Sequence, residues 1–126
     1  MPKSVPVLPG IQPGKSAFSQ VVEANGFVFL AGQVGGDPTS GEIAPGGIGP
    51  QARAMFANVE RCLRAVGLGL SDVVKATVYL VDMSDWATYN DVWREVFPTD
   101  PPTRATVAVA GLVPPYRIEI EVIAAR

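Results

Sequence analysis

The stretch FSQVVEANGFVFLA, residues 18–31, contains the clearest turn signal in the chain. Asn25 and Gly26 tolerate the positive φ that both central positions of a tight hairpin turn require. Apolar-rich segments of strand length flank this pair at 18–23 and at 27–31. We therefore predict two antiparallel strands that are joined at Asn25-Gly26.

Periodic apolar residues predict two helices further along the chain. After Pro50, which suits a first helical turn, a stripe with helical spacing runs towards Gly67 and consists of Ala52, Met55, Phe56, Val59, Leu63 and Val66. A second helix is predicted from Ser84, a good N-cap residue, through about Phe97, where prolines follow. Its predicted buried stripe consists of Trp86, Tyr89, Trp93 and Val96 or Phe97.

Three more strands are predicted after the first helix. Residues 72–82 alternate, and the face that we expect to be buried carries Val74, Ala76, Val78 and Leu80. Residues 104–109 are small or apolar on both faces, which favours burial on both sides, whereas 117–124 alternate between apolar and charged residues. The glycine-rich segment 32–50 indicates a long surface connection, and residues 1–16 indicate an irregular N-terminal arm.

The element order β-β-α-β-α-β-β predicts one α+β domain over residues 1–126. A helix between two strands usually marks a crossover to a parallel neighbour, whereas the terminal strand pairs suit antiparallel pairing. We therefore expect a mixed sheet with both helices packed on one face. The other face then needs a cover, and oligomerisation is the simplest way to provide it.

The composition excludes several classes of function. The chain contains no histidine, which removes Ser-His-Asp triads, Cys-His dyads and most zinc sites. Because 10 basic and 12 acidic residues give a net charge of −2 without a basic cluster, nucleic acid is not expected as a partner. No apolar run approaches the ~20 residues of a membrane-spanning helix. The single cysteine and the absence of a secretory signal at the N-terminus predict a cytoplasmic protein.

Three polar residues are candidates for binding or catalysis, and each has an ordinary structural alternative. Arg104 follows a rigid Pro101-Pro102 leader, and its planar fork can hold a carboxylate through two hydrogen bonds; the alternative is a solvated surface arginine. Glu119 can orient a water molecule if it is partly desolvated, but it alternates with charged residues as on an exposed face. Asn90 in a helix interior indicates an amide with a specific partner or an exposed position.

Several motifs of the chain closely resemble those of the RidA/YjgF family of reactive-intermediate deaminases. The most specific is the C-terminal signature, which consists of Thr103-Arg104-Ala105-Thr106-Val107, Leu112 and Ile118-Glu119-Ile120. Further similar segments lie at 18–20, 31–33, 51–53, 58–59, 72–75, 82–83 and around Asn90. The resemblance leaves out only the first dozen residues.

The resemblance implies a chorismate-mutase-like fold that assembles as a homotrimer, with the sheets around a central barrel, the helices outside and clefts between subunits. It implies hydrolytic deamination of enamines and imines of short 2-oxo acids, such as 2-iminopropanoate and 2-iminobutanoate, in which water releases ammonia. Arg104 is implied to hold the substrate carboxylate and Glu119 to orient the attacking water, with Asn90 and backbone groups near Thr106 completing the pocket. No metal or organic cofactor is implied.

Three substrate-contacting positions depart from the family pattern. Phe18 stands where active deaminases commonly carry tyrosine, Ala31 where they carry serine, and Thr106, a milder change, where cysteine is frequent. A lost hydrogen-bonding group costs about 1–3 kcal/mol with a substrate that needs it. The chain is therefore expected to be an imine deaminase with altered substrates. The alternative is a non-catalytic trimer that binds a small carboxylate or a protein partner.

Overall fold

The computed structural model describes residues 2–9 and 17–126, and these form one mixed sheet beside two helices. The strands are β1 (Val21–Ala24), β2 (Phe27–Leu30), β3 (Gln33–Val34), β4 (Val73–Leu80), β5 (Thr103–Ala108) and β6 (Ile118–Ala125). The helices are α1 (Ile48–Arg64) and α2 (Trp86–Val96), with short 3-10 turns at Leu70–Asp72 and Met83–Asp85. Neither described helix is both long and apolar enough to cross a bilayer.

The predicted N-terminal arm is described only in part. Residue 1 and residues 10–16 lie outside the described residues. Residues 2–9 are irregular apart from one antiparallel bridge, in which Ser4 pairs with Glu23 of β1. This bridge docks the described part of the arm beside the hairpin.

The predicted hairpin is present, and its turn is Asn25-Gly26. Asn25 has a φ of 53° and Gly26 a φ of 80°, in the left-handed region that this turn needs. β1 begins three residues after Phe18 rather than at it. The predicted start is wrong because pairing with β2 ends at the hydrogen bond from the Ala31 N–H to the Gln20 carbonyl, 2.9 Å long.

The central strand of the sheet is β6. The strand order is β1-β2-β6-β4-β5, and the short β3 also pairs with β6. β5 runs parallel to β4 on one side, and β6 runs antiparallel to β4 on the other. The predicted mixed sheet is confirmed. The predicted antiparallel pairing of the last two strands is wrong, because the crossover through α2 sets β5 beside β4 and leaves β6 to join β4 to the hairpin.

Both helices pack on the same face of the sheet, as predicted. The strand residues beneath them are buried and comprise Ala76, Val78 and Leu80 of β4 and Ile118, Ile120, Val122 and Ala124 of β6. Edge-to-face aromatic contacts join α1 to α2, since the ring centroid of Phe56 lies 6.1 Å from that of Trp93 and 5.9 Å from that of Phe97. Large buried aromatic rings of this kind dominate the energetics of a core.

Two residues of the predicted buried stripes are exposed instead. Val74 is 43% exposed, because a register irregularity between Val73 and Lys75 takes the start of β4 out of strict alternation. Trp86 is 39% exposed, because it begins α2 at the edge of the sheet, where its ring faces the Arg104 guanidinium. Neither local shift can be deduced from periodicity.

The glycine-rich segment 32–50 is more ordered than predicted, because β3 and the first residues of α1 lie within it. Asn58 on α1 holds the segment in place. Its buried side-chain amide donates to the carbonyls of Val34 and Gly36, each over 2.9 Å. The segment is therefore packed against α1 by side-chain to backbone hydrogen bonds.

One face of the sheet is uncovered. β5 was predicted to be buried on both sides, but within the described chain it is an edge strand, and Val107 is 43% exposed. On the face turned away from the helices, Phe27 and Phe29 are also more than two-fifths exposed. No element of the described residues packs over these side chains. An apolar patch of this kind typically marks a surface that another molecule covers.

We expect Asn58→Ala to lower the free energy of unfolding by about 2 kcal/mol, because two buried carbonyl groups lose their donor. Urea titration at fixed protein concentration measures this change. Glu60→Ala is the control on the same helix, because it removes only an exposed ion pair with Arg64 and should cost less than about 0.5 kcal/mol. An equal loss in both variants would show that the Asn58 bonds do not hold the segment.

Candidate active site

The Arg104 side chain is held at the edge of the sheet by α2. Its position in β5 is paired with Ala76 of β4, so its side chain points to the face that carries the helices. There Nη1 donates to Oδ1 of Asn90 over 2.8 Å, and Asn90 is only 7% exposed. The predicted specific partner of the Asn90 amide is therefore Arg104.

Three aromatic rings surround the Arg104 guanidinium. Its Cζ atom lies 4.7 Å from the ring centroid of Trp93, 5.5 Å from that of Tyr89 and 5.8 Å from that of Trp86. Rings at these distances attract a cation through their electron-rich faces and restrict its movement. Among residues 2–9 and 17–126, Arg104 forms no ion pair with an acidic residue. Its remaining N–H groups can therefore receive an anion from outside the chain.

Thr106 lies beside Arg104 on the same face of β5 and is joined to α2 by a second hydrogen bond. Its Oγ1 atom lies 2.8 Å from the hydroxyl of Tyr89. Burial raises the pKa of Tyr89, and the nearby Thr106 and Arg104 offset part of that rise. Tyr89 was predicted only as a member of the buried helix stripe. Its hydroxyl partner lies on another element, and the helical spacing contains no signal for that contact.

Glu119 points to the opposite face of the sheet. Its neighbours Ile118 and Ile120 are fully buried beneath the helices, so the alternation of β6 turns the Glu119 side chain away from them. The carboxylate packs closely on Gly32, where an added Cβ would lie 2.5 Å from Oε2. Partial burial raises the pKa of Glu119, and the neighbouring Glu121 raises it further. Glu119 is therefore a carboxylate with the partial desolvation that a proton acceptor needs.

Ala31 lies next to Gly32 and so shares the neighbourhood of Glu119. Gln33 was not a predicted site residue. It holds this segment because its Nε2 donates to Gln20 Oε1 over 3.1 Å and to the Ala31 carbonyl over 3.2 Å. Gln33 is only 7% exposed. The sequence gives no sign of this burial, because a glutamine in a glycine-rich segment is usually expected at the surface. Phe18 is a surface residue in this structure, with 60% exposure.

Apart from Phe18, the predicted site residues fall into two groups that one chain does not bring together. The arginine group consists of Arg104, Asn90, Thr106 and Tyr89 and lies on the helix-bearing side of the edge strand β5. The glutamate group consists of Glu119, Gly32 and Ala31 and lies on the other side, with β4 between β5 and β6. A site that uses both groups has to be built from more than one chain.

Comparisons with known proteins show which family the chain resembles. The family model described as Endoribonuclease L-PSP matches residues 12–126. The RutC family protein PH0854 of Pyrococcus horikoshii is 45% identical over 107 residues, which are 85% of each chain. The 2-iminobutanoate/2-iminopropanoate deaminase of Bos taurus is 41% identical over 107 residues, which are 85% of this chain and 78% of the bovine protein.

Solved structures show the same fold. The structure of Escherichia coli TdcF with bound serine superposes with a TM-score of 0.84 at 36% identity and covers 92% of this chain and 93% of its own. The YjgF gene product of Escherichia coli gives a TM-score of 0.84 at 34% identity, with the same coverage. The chain therefore belongs to the RidA/YjgF family, whose family model carries the description Endoribonuclease L-PSP.

Proposed function

We propose that this protein hydrolyses imines and enamines of short 2-oxo acids, of the 2-iminopropanoate and 2-iminobutanoate type, to the 2-oxo acid and ammonia. The observation that carries the proposal is the Arg104 guanidinium, which Asn90 and three aromatic rings hold in place while no acidic residue of the described chain pairs with it. The relatives that are named 2-iminobutanoate/2-iminopropanoate deaminase support the same substrate class.

The chemistry requires few catalytic groups. A protonated imine carbon is already electrophilic, so a substrate whose carboxylate is clamped by Arg104 needs only a positioned water and a proton acceptor. Water adds to the carbon and gives one proton to Glu119, which leaves a hydroxyl on the carbon. Glu119 then returns this proton to the nitrogen. As the carbon–nitrogen bond breaks and ammonia leaves, the hydroxyl proton passes to Glu119 and the carbonyl forms; Glu119 then releases the proton to ammonia or solvent. The absence of histidine from the chain is compatible with this route.

The site is proposed to lie between subunits of a homotrimer, because the arginine and glutamate groups are on opposite sides of the sheet. An adjacent copy can place its arginine group against the glutamate group of this chain. The exposed Phe27, Phe29 and Val107 on the uncovered face are surfaces that such an assembly would bury. In the homotrimer these faces would line a central barrel, and the helices would lie outside.

A second candidate function is a non-catalytic trimer that binds a small carboxylate or a protein partner. The specific observation in its favour is that Phe18 and Ala31 provide no hydroxyl at positions where active deaminases commonly have one. The TdcF structure was solved with bound serine, a small carboxylate, which is compatible with either function. For both candidates we propose a cytoplasmic location, since the one cysteine, Cys62, is buried and has no partner for a disulfide within the chain.

Arg104→Ala should lower kcat/KM for imine hydrolysis at least about a hundredfold, because two charge-assisted hydrogen bonds to the carboxylate are lost. An amino-acid oxidase can generate 2-iminopropanoate or 2-iminobutanoate, and its decay is compared with the spontaneous rate. Arg53→Ala is the matched control, since Arg53 forms an exposed ion pair with Glu95. Equal rates with and without the unaltered protein, over several imines, would exclude the deaminase and leave the binding function.

Glu119→Gln should abolish hydrolysis and also change the pH dependence of stability. Because burial raises the folded pKa of Glu119 above its ordinary value of 4.5, the folded state binds the proton more tightly than the unfolded state. The contribution of Glu119 to the free energy of unfolding is therefore greatest below pH 4.5, and it is lost as pH rises through the pKa of Glu119 in the folded state. In Glu119→Gln this decline should disappear in urea unfolding between acidic and neutral pH, whereas Glu95→Gln should retain it. A decline of equal size in Glu119→Gln would refute the raised pKa.

Sedimentation equilibrium at micromolar concentration should give the mass of three chains. Phe29→Glu should shift the protein towards monomer and remove activity together with the trimer, because it places a charge in the centre of the proposed interface. Val113→Glu, an exposed apolar residue outside the strands, is the control for added charge. A monomeric protein with full activity would contradict the intersubunit site.

A further inference from the structure

The pair of hydroxyls formed by Tyr89 and Thr106 lies inside the arginine group and has no role in the route above. Tyr89 is 0% exposed, and its hydroxyl lies 2.8 Å from Thr106 Oγ1. Thr106 is only partly buried, on the same side of β5 as Arg104. The Tyr89 ring also contacts the guanidinium, with 5.5 Å between ring centroid and Cζ. The two hydroxyls are therefore part of the carboxylate half of the proposed site.

The direction of this hydrogen bond follows from burial. A hydroxyl offers one proton and two lone pairs, and a buried proton without an acceptor is costly. Within the described chain, the Tyr89 hydroxyl forms a hydrogen bond with Thr106, and the Arg104 guanidinium lies beside the same tyrosine. The adjacent Arg104 guanidinium carries donors only and cannot accept this proton. Tyr89 therefore donates to Thr106, because the reverse arrangement would leave the phenol proton unsatisfied in the core.

We propose that the Thr106 hydroxyl, oriented by Tyr89, donates a hydrogen bond directly to the 2-imino or 2-oxo carboxylate that Arg104 binds. Because Thr106 accepts from Tyr89, its own proton is free and turns towards the exposed side of the residue, beside the guanidinium. Thr106 would be a substrate-binding residue, and Tyr89 a positioning residue that acts through it. This role rests on the proposed function only in placing the ligand at Arg104.

The Tyr89–Thr106 hydroxyl pair provides a hydrogen-bond donor to a proposed site that lacks hydroxyls at other positions. Ala31 carries no hydrogen-bonding side chain, so the glutamate group has no hydroxyl at this position, and the exposed Phe18 provides none either. In the arginine half, Thr106 provides a donor whose direction is set before the ligand arrives. A donor oriented in advance costs less conformational entropy on binding than a freely rotating one.

The test is a double-mutant cycle with two readouts, kcat/KM for 2-iminobutanoate and the dissociation constant of its product 2-oxobutanoate. Thr106→Val should weaken both about fivefold, and Thr106→Ser should restore them. Tyr89→Phe should have a smaller effect, about threefold, because the Thr106 hydroxyl remains but is no longer oriented. The double variant should resemble Thr106→Val alone, since Tyr89 acts only through Thr106.

Thermal unfolding provides a third readout that reports the direction of the bond. Thr106→Val leaves the Tyr89 proton without an acceptor and should lower Tm, whereas the double variant, which lacks both hydroxyls, should recover part of that loss. Thr88→Val on the exposed side of α2 and Tyr116→Phe, whose hydroxyl donates to the Gly41 carbonyl, are controls that should change neither kinetic nor binding constant.

The outcomes separate this proposal from the proposed function. If the unaltered protein does not accelerate imine decay but binds 2-oxobutanoate with the expected order of variants, the hydroxyl pair stands and the deaminase fails. If hydrolysis depends on Arg104 but Tyr89→Phe and Thr106→Val leave both constants unchanged, the hydroxyl pair is refuted and the deaminase stands. Equal and additive losses would refute the positioning role of Tyr89. An unaltered protein that neither hydrolyses imines nor binds 2-oxobutanoate would overturn both.

Discussion

Strand alternation across β4, β5 and β6 determines to which face of the sheet Arg104, Thr106 and Glu119 point. Val78 of β4 is paired with Ile120 of β6, and these buried side chains fix the face that meets the helices. One residue earlier on β6, Glu119 must point the other way. The parallel register between β4 and β5 sets Arg104 on the helix-bearing side. A shift of one residue in either register would exchange these faces and remove the core at the same time.

The position of α2 depends on an ion pair at its start. Asp85, which immediately precedes α2 and is 5% exposed, accepts from Arg117 over 2.5 Å, and the Arg117 backbone N–H donates to the side chain of Gln51 over 2.6 Å. These contacts join the beginnings of α1, α2 and β6. Desolvation offsets much of the Coulombic gain of such a pair, so its main effect is on geometry. The Asp85–Arg117 ion pair fixes where α2 begins. It thereby helps to set the distance between β5 and the side chains of Tyr89 and Asn90.

Patterns among residues close in sequence predicted the helices and the turn, whereas strand partners that are distant in sequence were not all predicted. The turn at Asn25-Gly26 and the stripe of α1 depend on residues close in sequence, so their patterns identify them. In contrast, the alternation patterns of β4 and β6 are equally compatible with pairing to β5, so the sequence does not decide between these two partners. Residue chemistry made Arg104 and Glu119 candidates, and resemblance to a family implied their roles, but their opposite directions follow from the registers of three strands. The hydroxyl of Tyr89 was missed because its partner Thr106 is 17 residues away on another element.

The proposed site is divided between two faces of the sheet, so carboxylate binding and hydrolysis would depend on different groups of residues. The arginine group is complete within one chain, because Asn90, Tyr89 and Thr106 all belong to the chain that carries Arg104. The losses at Phe18 and Ala31 leave those contacts intact. Under the proposed function, a protein with these replacements can keep its affinity for small carboxylates while changes in the glutamate group alter its hydrolytic rate. If the second candidate is a carboxylate-binding trimer, the two proposed functions would share this binding surface and would differ in how Glu119 and its surroundings present water to the bound molecule.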